Sequence, residues 1–141
     1  MQIKQISQTY SVSPQITPDD LPEIAEKGFK TIICNRPDVE VDSEFSAYAL
    51  RIATEAAGLK FVENPITHAG LSEDMVRLQR AEIDLSAGPT LAYCASGTRS
   101  TIVWALGQAG RMPTEEIIAA AKRAGYDIGG ITPRLEALAG L

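Results

Sequence analysis

The sequence is poor in residues that build disulfide frameworks and metal sites. It contains two cysteines and one histidine in 141 residues. Two cysteines far apart in sequence make no disulfide framework, and with a single histidine they fall short of a closed zinc site. We therefore expect no metal and no cofactor, and we expect free thiols in a reducing compartment.

Long hydrophobic runs are also missing. No apolar run approaches the roughly 18 to 20 residues that a membrane span requires. The N-terminal segment Met1–Gln5 lacks the charged and then apolar plan of a signal peptide. We therefore expect a cytoplasmic protein that has no membrane partner.

Positive charge is scarce and scattered. The chain has 13 Lys and Arg against 18 Asp and Glu, a formal net charge of −5. A nucleic-acid binder normally carries a basic patch or stripe, so we expect no nucleic-acid partner. Any anionic ligand must then be attracted by a local cradle and not by the general field of the surface.

What is present fits one ordinary globular domain covering residues 1–141, with 45% hydrophobic residues. Short apolar runs that predict strands alternate with capped, periodic segments that predict helices. Such alternation predicts an α/β fold with a central, mainly parallel sheet of four to five strands and helices on both faces. The oligomeric state is left open.

Two helical segments show what the pattern predicts about packing. A helix over roughly 43–57 would place Phe45, Ala49, Ile52, Ala53 and Ala56 on one apolar face. The almost wholly apolar helix that contains Trp104 is expected to lie in the core.

In a parallel sheet, ligands bind beyond the carboxyl ends of the strands. That rule groups three segments that are distant in sequence, at residues 34–38, 63–68 and 94–100. We expect the functional site where these three segments meet.

The segment 94–100 combines a strand end, a loop with a glycine, and the start of a buried helix. A helix N-terminus offers unpaired N–H groups and a partial positive charge, and cysteine thiols ionise readily at such positions. A buried Cys is often only a small hydrophobe. Because Cys94 lies at the junction and not in mid-strand, we predict that it is a nucleophilic thiolate.

The rest of this loop is expected to bind an anion. The Arg99 guanidinium matches two oxygens of a tetrahedral oxyanion, although an Arg often only pairs with a surface acid. Gly97 allows an unusual backbone angle or a close approach. Ser100 is well placed to hydrogen-bond the thiolate. The other loop residues that we expect to bind the substrate are Ala95, Ser96 and Thr98. For Ser96 and Thr98, the alternative is that their hydroxyls only cap the helix.

Four residues outside the loop are accessory candidates, each with a plainer alternative. Arg36 is either a second cation at the rim of the cradle or a turn residue paired with a nearby acid. Cys34 is either core or a resolving thiol for Cys94. Asp38 and His68 are candidate proton donors, together with the nearby acids Glu40 and Asp42, although no motif defends any of them, and a loop His is more often solvated.

These motifs carry a family resemblance. Residues 94–100 resemble the active loop of rhodanese-type sulfurtransferases. The wider chain, including residues 33–38 and 124–127, resembles the phosphatase-like domain family that occurs alone or beside a beta-lactamase-like hydrolase domain, whose members are described as phosphatases and as sulfurtransferases. The resemblance covers nearly the full length and implies a cysteine-phosphatase-like fold.

Loop length favours sulfur transfer within this resemblance. Cysteine-dependent phosphatases carry five residues between Cys and Arg and a His before the Cys, whereas this chain has four residues and Tyr93. Phosphate-monoester hydrolysis also needs an acid for its poor leaving group, whereas sulfite leaves readily from thiosulfate.

The leading prediction is therefore a sulfurtransferase that moves sulfane sulfur from thiosulfate or a persulfide, through a Cys94 persulfide, to a thiol or cyanide acceptor. Two alternatives stay open. One is a cysteine-dependent phosphatase with a phosphocysteine intermediate and a phosphate ester as substrate. The other is a non-catalytic anion-binding module.

Overall fold

The computed structural model describes residues 1–67 and 69–140. Its centre is a five-stranded sheet, and six α-helices cover the sheet. The strands are β1 (Lys4–Gln5), β2 (Tyr10–Ser13), β3 (Thr31–Cys34), β4 (Lys60–Glu63) and β5 (Thr90–Tyr93). The helices are α1 (Leu21–Glu26), α2 (Ala47–Ala56), α3 (Glu73–Leu85), α4 (Thr98–Gln108), α5 (Thr114–Arg123) and α6 (Thr132–Leu138).

The strand order is β1-β2-β5-β3-β4, and only the edge strand β1 runs antiparallel to its neighbour. The α/β prediction with a mainly parallel sheet is thereby confirmed. Strand β5 lies in the middle of the sheet, where Tyr93 is in register with both Ser13 and Cys34. The three strands β2, β3 and β5 therefore end level, and the segments that follow them share one edge.

The two faces of the sheet pack into separate cores. Residues of β3 and β5 are buried throughout, and their side chains alternate between the faces. Ile33 and Ala92 pack with Trp104 and the helices α4 and α5, whereas Ile32 and Leu91 pack against α1 and α2. The expected core position of Trp104 is confirmed, and its ring stacks on Tyr10.

The predicted face of the helix over 43–57 is wrong. Ser46 has an extended backbone, and its side chain accepts a hydrogen bond from the Ala49 N–H, so α2 begins only at Ala47 after a separate 3₁₀ turn at Ser43–Phe45. The buried residues of α2 are Ala47, Leu50 and Thr54, whereas Ile52 is 51% exposed. The N-cap thus sets the start of the helix, and packing against Ile32 and Leu91 of the sheet decides that the side with Ala47 and Leu50 is buried.

In the part of the chain that the structure describes, none of the helices has the length and apolar character needed to cross a membrane.

Candidate active site

The loop after β5 places a thiol at the start of a buried helix. Cys94 is fully buried, and Gly97 is the N-cap of α4 with a φ of 95°. This left-handed conformation, which suits glycine, lets the Gly97 N–H donate to Cys94 Sγ at 3.1 Å. The sulfur therefore lies at the positive end of the α4 dipole, where negative charge is stabilised.

Arg99 lies in the first turn of α4, and a carboxylate binds it in bidentate geometry. Its Nη1 donates to Glu40 Oε2 at 2.9 Å, and its Nη2 donates to Glu40 Oε1 at 2.7 Å. Nη1 also donates to the Ile66 carbonyl at 2.7 Å. The hydrogen bonds to Glu40, together with the charges of Glu40 and Cys94, raise the pKa of Arg99 against the opposing effect of its partial burial. Arg99 is therefore a permanent cation beside the thiol.

Buried amides support the loop from below. The Gln79 side-chain N–H groups donate to Tyr10 Oη and Asn35 Oδ1, while Gln79 Oε1 accepts from Asn35 and Asn64. Ser100 Oγ donates to Asn35 Oδ1 at 2.8 Å, and Tyr10 Oη donates to the Ser100 carbonyl at 2.7 Å. This network joins the ends of β3 and β4 to α3 and α4, and a fully satisfied buried network rigidifies its surroundings.

Tyr126, which follows α5, holds the loop from the other side. Its hydroxyl donates to the Ser96 carbonyl at 3.0 Å and lies directly against Gly97. Burial raises the pKa of Tyr126, and the charge of Cys94 adds to the effect. The phenol is thus a stable hydrogen-bond donor beside Cys94.

The predicted loop residues lie together around Cys94, but their hydroxyls have other partners. Ser100 is directed at Asn35 and not at the thiol, because the amide network lies on that side of α4. Ser96 Oγ donates to Thr98 Oγ1 at 3.1 Å, and the Thr98 N–H donates back to Ser96 Oγ. The two hydroxyls thus form a local turn at the start of α4, while Ala95 and Ser96 are exposed.

The accessory candidates from β3 and the segment after it have structural partners. Arg36 donates to Glu40 and to Gln15. It therefore pairs with a nearby acid, which was the plainer of its two predicted roles. Asp38 accepts the Ala47 N–H at 2.8 Å and so fixes the start of α2.

Cys34 lies in the core on the α1 and α2 face of the sheet. Its Sγ donates to the Arg36 carbonyl at 3.3 Å. Burial raises the pKa of Cys34, and the charges of Glu63 and Asp38 raise it further. Both cysteines are free. His68 lies outside the described residues.

Sequence reasoning missed three residues that the structure brings to the loop. Gln79 had a detectable signal, because a polar residue interrupts the apolar stripe of Val76 and Ile83 on α3. From sequence, Glu40 is only one of several nearby acids, and Tyr126 is only part of the segment 124–127 that resembles the family. No local pattern indicates that either contacts the Cys94 loop.

Comparison with known proteins identifies relatives that match nearly the whole chain. The family model described as "Beta-lactamase hydrolase-like protein, phosphatase-like domain" matches residues 2–111. A beta-lactamase hydrolase-like protein of Xylella fastidiosa (strain 9a5c) is 32% identical over 139 residues, which are 96% of this chain and 32% of the relative. The chain thus spans about a third of the length of the curated relatives that it matches.

Solved structures resemble the chain as well. A crystal structure from Neisseria meningitidis, described as a candidate phosphatase, is 36% identical with a TM-score of 0.85 and covers 98% of this chain and 99% of its own. TpbA of P. aeruginosa in complex with pTyr is 13% identical with a TM-score of 0.64, covering 99% of this chain and 90% of its own. This second likeness shows the cysteine-phosphatase-like fold alone.

These comparisons overturn the prediction of a sulfurtransferase. The matching family model is phosphatase-like, and the 36% identical structure is described as a candidate phosphatase. The sulfur donor and the thiol acceptor were predicted from that function, so the comparisons do not support them either. Loop length was a poor guide, because a chain with four residues between Cys94 and Arg99 still places the thiol at a helix N-terminus with the arginine in the first turn.

Proposed function

Because the chain belongs to the family described as "Beta-lactamase hydrolase-like protein, phosphatase-like domain", we propose that it is a cysteine-dependent phosphatase that hydrolyses phosphate monoesters. The observation that carries the proposal is the position of Cys94 Sγ, 3.1 Å from the Gly97 N–H at the start of α4 and beside Arg99. The remainder of the longer relatives is not part of this assignment.

The first chemical step is transfer of the phosphoryl group to sulfur. The Cys94 thiolate forms an S–P bond while the bond from phosphorus to the ester oxygen breaks, and the leaving oxygen takes the electron pair and then a proton. Charge on the equatorial oxygens is stabilised by the loop N–H groups and by Arg99. The Gly97 N–H at Cys94 Sγ and the Arg99 cation beside it support these roles.

The second step regenerates the thiolate. Water attacks the phosphorus of the phosphocysteine, the S–P bond breaks, and inorganic phosphate leaves. The same helix N-terminus that stabilises the thiolate before the reaction stabilises it as the leaving group. The same helix N-terminus therefore serves both steps.

An aryl phosphate is the substrate of choice for a first test, because a phenoxide leaves more easily than an alkoxide and depends less on a proton donor. We expect the wild-type protein to hydrolyse p-nitrophenyl phosphate and the Cys94→Ser variant to fall to the buffer rate. Glu82→Gln, which changes a surface pair with Lys60, should keep wild-type activity. Equal release by wild type and Cys94→Ser would refute the proposal.

A further inference from the structure

The N–H donors of the Arg99 guanidinium fall into two groups: those that bond Glu40 and Ile66, and those that remain. A guanidinium carries five N–H groups in a fixed plane. Glu40 binds the end edge formed by Nη1 and Nη2, and the Ile66 carbonyl accepts from Nη1 as well. These three bonds leave the side edge, made of Nε–H and the second Nη2–H. The charge of Cys94 contributes to the raised pKa of Arg99, so the thiol is near the guanidinium, and the side edge is the part that Glu40 and Ile66 do not use.

Glu40 is itself held by a second arginine. Arg36 Nε lies 3.3 Å from Glu40 Oε1, and Arg36 Nη2 donates to the Glu40 carbonyl. Arg36 Nη1 donates to Gln15, so Gln15 holds Arg36 at the end of this series of contacts that is farthest from Arg99. The Glu40 carboxylate thus lies between two guanidinium groups, and the three side chains form a connected row that ends at Cys94.

This row is partly removed from solvent. The Arg99 side chain is 14% exposed, and the Glu40 side chain is 21% exposed. Bidentate pairs with restricted solvent access are stronger and more rigid than isolated surface pairs. An arginine that is held on its end edge keeps its side edge in one orientation and loses little rotamer entropy when an anion binds.

We propose that Glu40, supported by Arg36, is the positioning residue that aims the side edge of Arg99 at the oxyanion bound at Cys94. This inference rests on the proposed phosphatase function. The opposite role is that Glu40 competes with the anion for Arg99. The two roles predict changes of opposite sign, because removing a competitor tightens anion binding, whereas removing a positioning group weakens it.

The first measurement is the affinity for inorganic phosphate, measured by titration calorimetry. We expect Glu40→Gln to bind phosphate about tenfold more weakly than wild type, since an unrestrained Arg99 must be ordered on binding. Glu82→Gln removes the same charge from an ion pair with Lys60 that does not involve Arg99, and it should bind like wild type. Arg36→Gln, which leaves the bonds between Glu40 and Arg99 in place, should cost less than Glu40→Gln. Unchanged or tighter binding by Glu40→Gln overturns the proposal.

The second measurement follows Arg99 directly and requires no ligand. The Arg99 Nε–H signal in a ¹⁵N-correlated NMR spectrum is assigned by its loss in Arg99→Lys. We expect a sharp signal in wild type and Glu82→Gln, and a broadened or exchanged signal in Glu40→Gln at equal thermal stability. Glu40→Asp, which keeps the carboxylate, should restore part of the signal and provides a second variant if Glu40→Gln folds poorly.

The two measurements separate the two claims. If wild type fails to bind phosphate and shows no aryl phosphatase activity, the proposed function fails, while the Arg99 signal still decides whether Glu40 orients Arg99. If wild type binds phosphate and the Arg99 signal is the same in Glu40→Gln, the positioning role is wrong and the phosphatase proposal stands.

Discussion

Tyr126 lies against Gly97 so closely that a Cβ added at Gly97 would clash with the Tyr126 hydroxyl. The same hydroxyl donates to the Ser96 carbonyl. The Cys94 loop is therefore held between Tyr126 outside and the Asn35 amide network below. The shape of the loop depends on this contact as well as on its own sequence.

The contact predicts that Gly97→Ala abolishes most of the activity. The added methyl group clashes with Tyr126, and the φ of 95° strains any residue other than glycine. We expect kcat/KM for an aryl phosphate to fall by about a hundredfold, because displaced groups at a reacting centre cost rates of that order.

Gly58→Ala is the matched control for Gly97→Ala. Gly58 also has a positive φ, but a Cβ there would meet nothing within 4 Å. This variant should lose about 1 kcal/mol or more of stability through backbone strain and keep its activity. Wild-type activity in Gly97→Ala would show that the Cys94 loop is not held in the described shape.

Tyr126→Phe should lower activity only a few-fold, because the ring remains and only the hydrogen bond to Ser96 is lost. Since the pKa of Tyr126 is raised by burial and by the charge of Cys94, its phenol stays protonated below its ordinary value of about 10. The ratio of wild-type to variant activity should therefore stay constant through neutral pH to about pH 9. A ratio that titrates in this range would contradict a pure donor role.

The two buried tyrosines Tyr10 and Tyr93 should respond differently to replacement by Phe. Tyr10 Oη donates to Ser100 and accepts from Gln79, so Tyr10→Phe should cost about 1–3 kcal/mol of stability. Tyr93 Oη lies beside Cys34 but is not in hydrogen-bonding geometry with it, and it has no partner among residues 1–67 and 69–140. Tyr93→Phe should be neutral or stabilising by about 1 kcal/mol in urea unfolding.

Alkaline pH provides a check on the same pair of tyrosines. Burial raises the pKa of Tyr10 and Tyr93 above the unfolded value of about 10, so the unfolded state loses these protons first. Stability must then fall as pH rises above about 10, and it should fall less steeply in Tyr93→Phe. Equal slopes for wild type and Tyr93→Phe would mean that Tyr93 is not buried as described.

The two cysteines should differ in reaction with iodoacetamide. Burial raises the pKa of Cys34, so little of its thiolate is present near neutral pH, and its alkylation should speed up only under alkaline conditions. Cys94 is fully buried as well, but the residues that follow it, Ala95 and Ser96, are exposed at the start of α4, whereas Cys34 lies in the core between the sheet and two helices; Cys94 should therefore react first. Inorganic phosphate should slow the reaction of Cys94 alone. Faster labelling of Cys34 near neutral pH would contradict this assignment.

Local signals predicted much of the fold and the centre of the site. The continuous apolar run of β5, the glycine and the following helix are neighbours in sequence, so the Cys94 cradle could be recognised from sequence. The level ends of β3 and β5 follow from the rule for parallel sheets.

The remaining features depend on contacts that no local pattern contains. Glu40 and Arg99 are 59 residues apart, so nothing in either segment indicates their pairing. The cap at Ser46 sets the start of α2, and contact with distant sheet residues buries the side with Ala47 and Leu50, which the local apolar periodicity does not indicate. The function was predicted wrongly from the number of residues in the loop, whereas oxyanion binding depends on where the helix N-terminus and Arg99 lie.

Acid-quenched intact mass spectrometry during turnover of an aryl phosphate tests directly whether Cys94 forms the phosphocysteine. We expect wild type to gain one phosphoryl group, which peptide mapping places on Cys94 and which is lost under conditions that cleave S–P bonds. Cys94→Ser should gain none at that position. Turnover of the substrate by wild type with no phosphoryl group on Cys94 at any quench time would contradict the central claim.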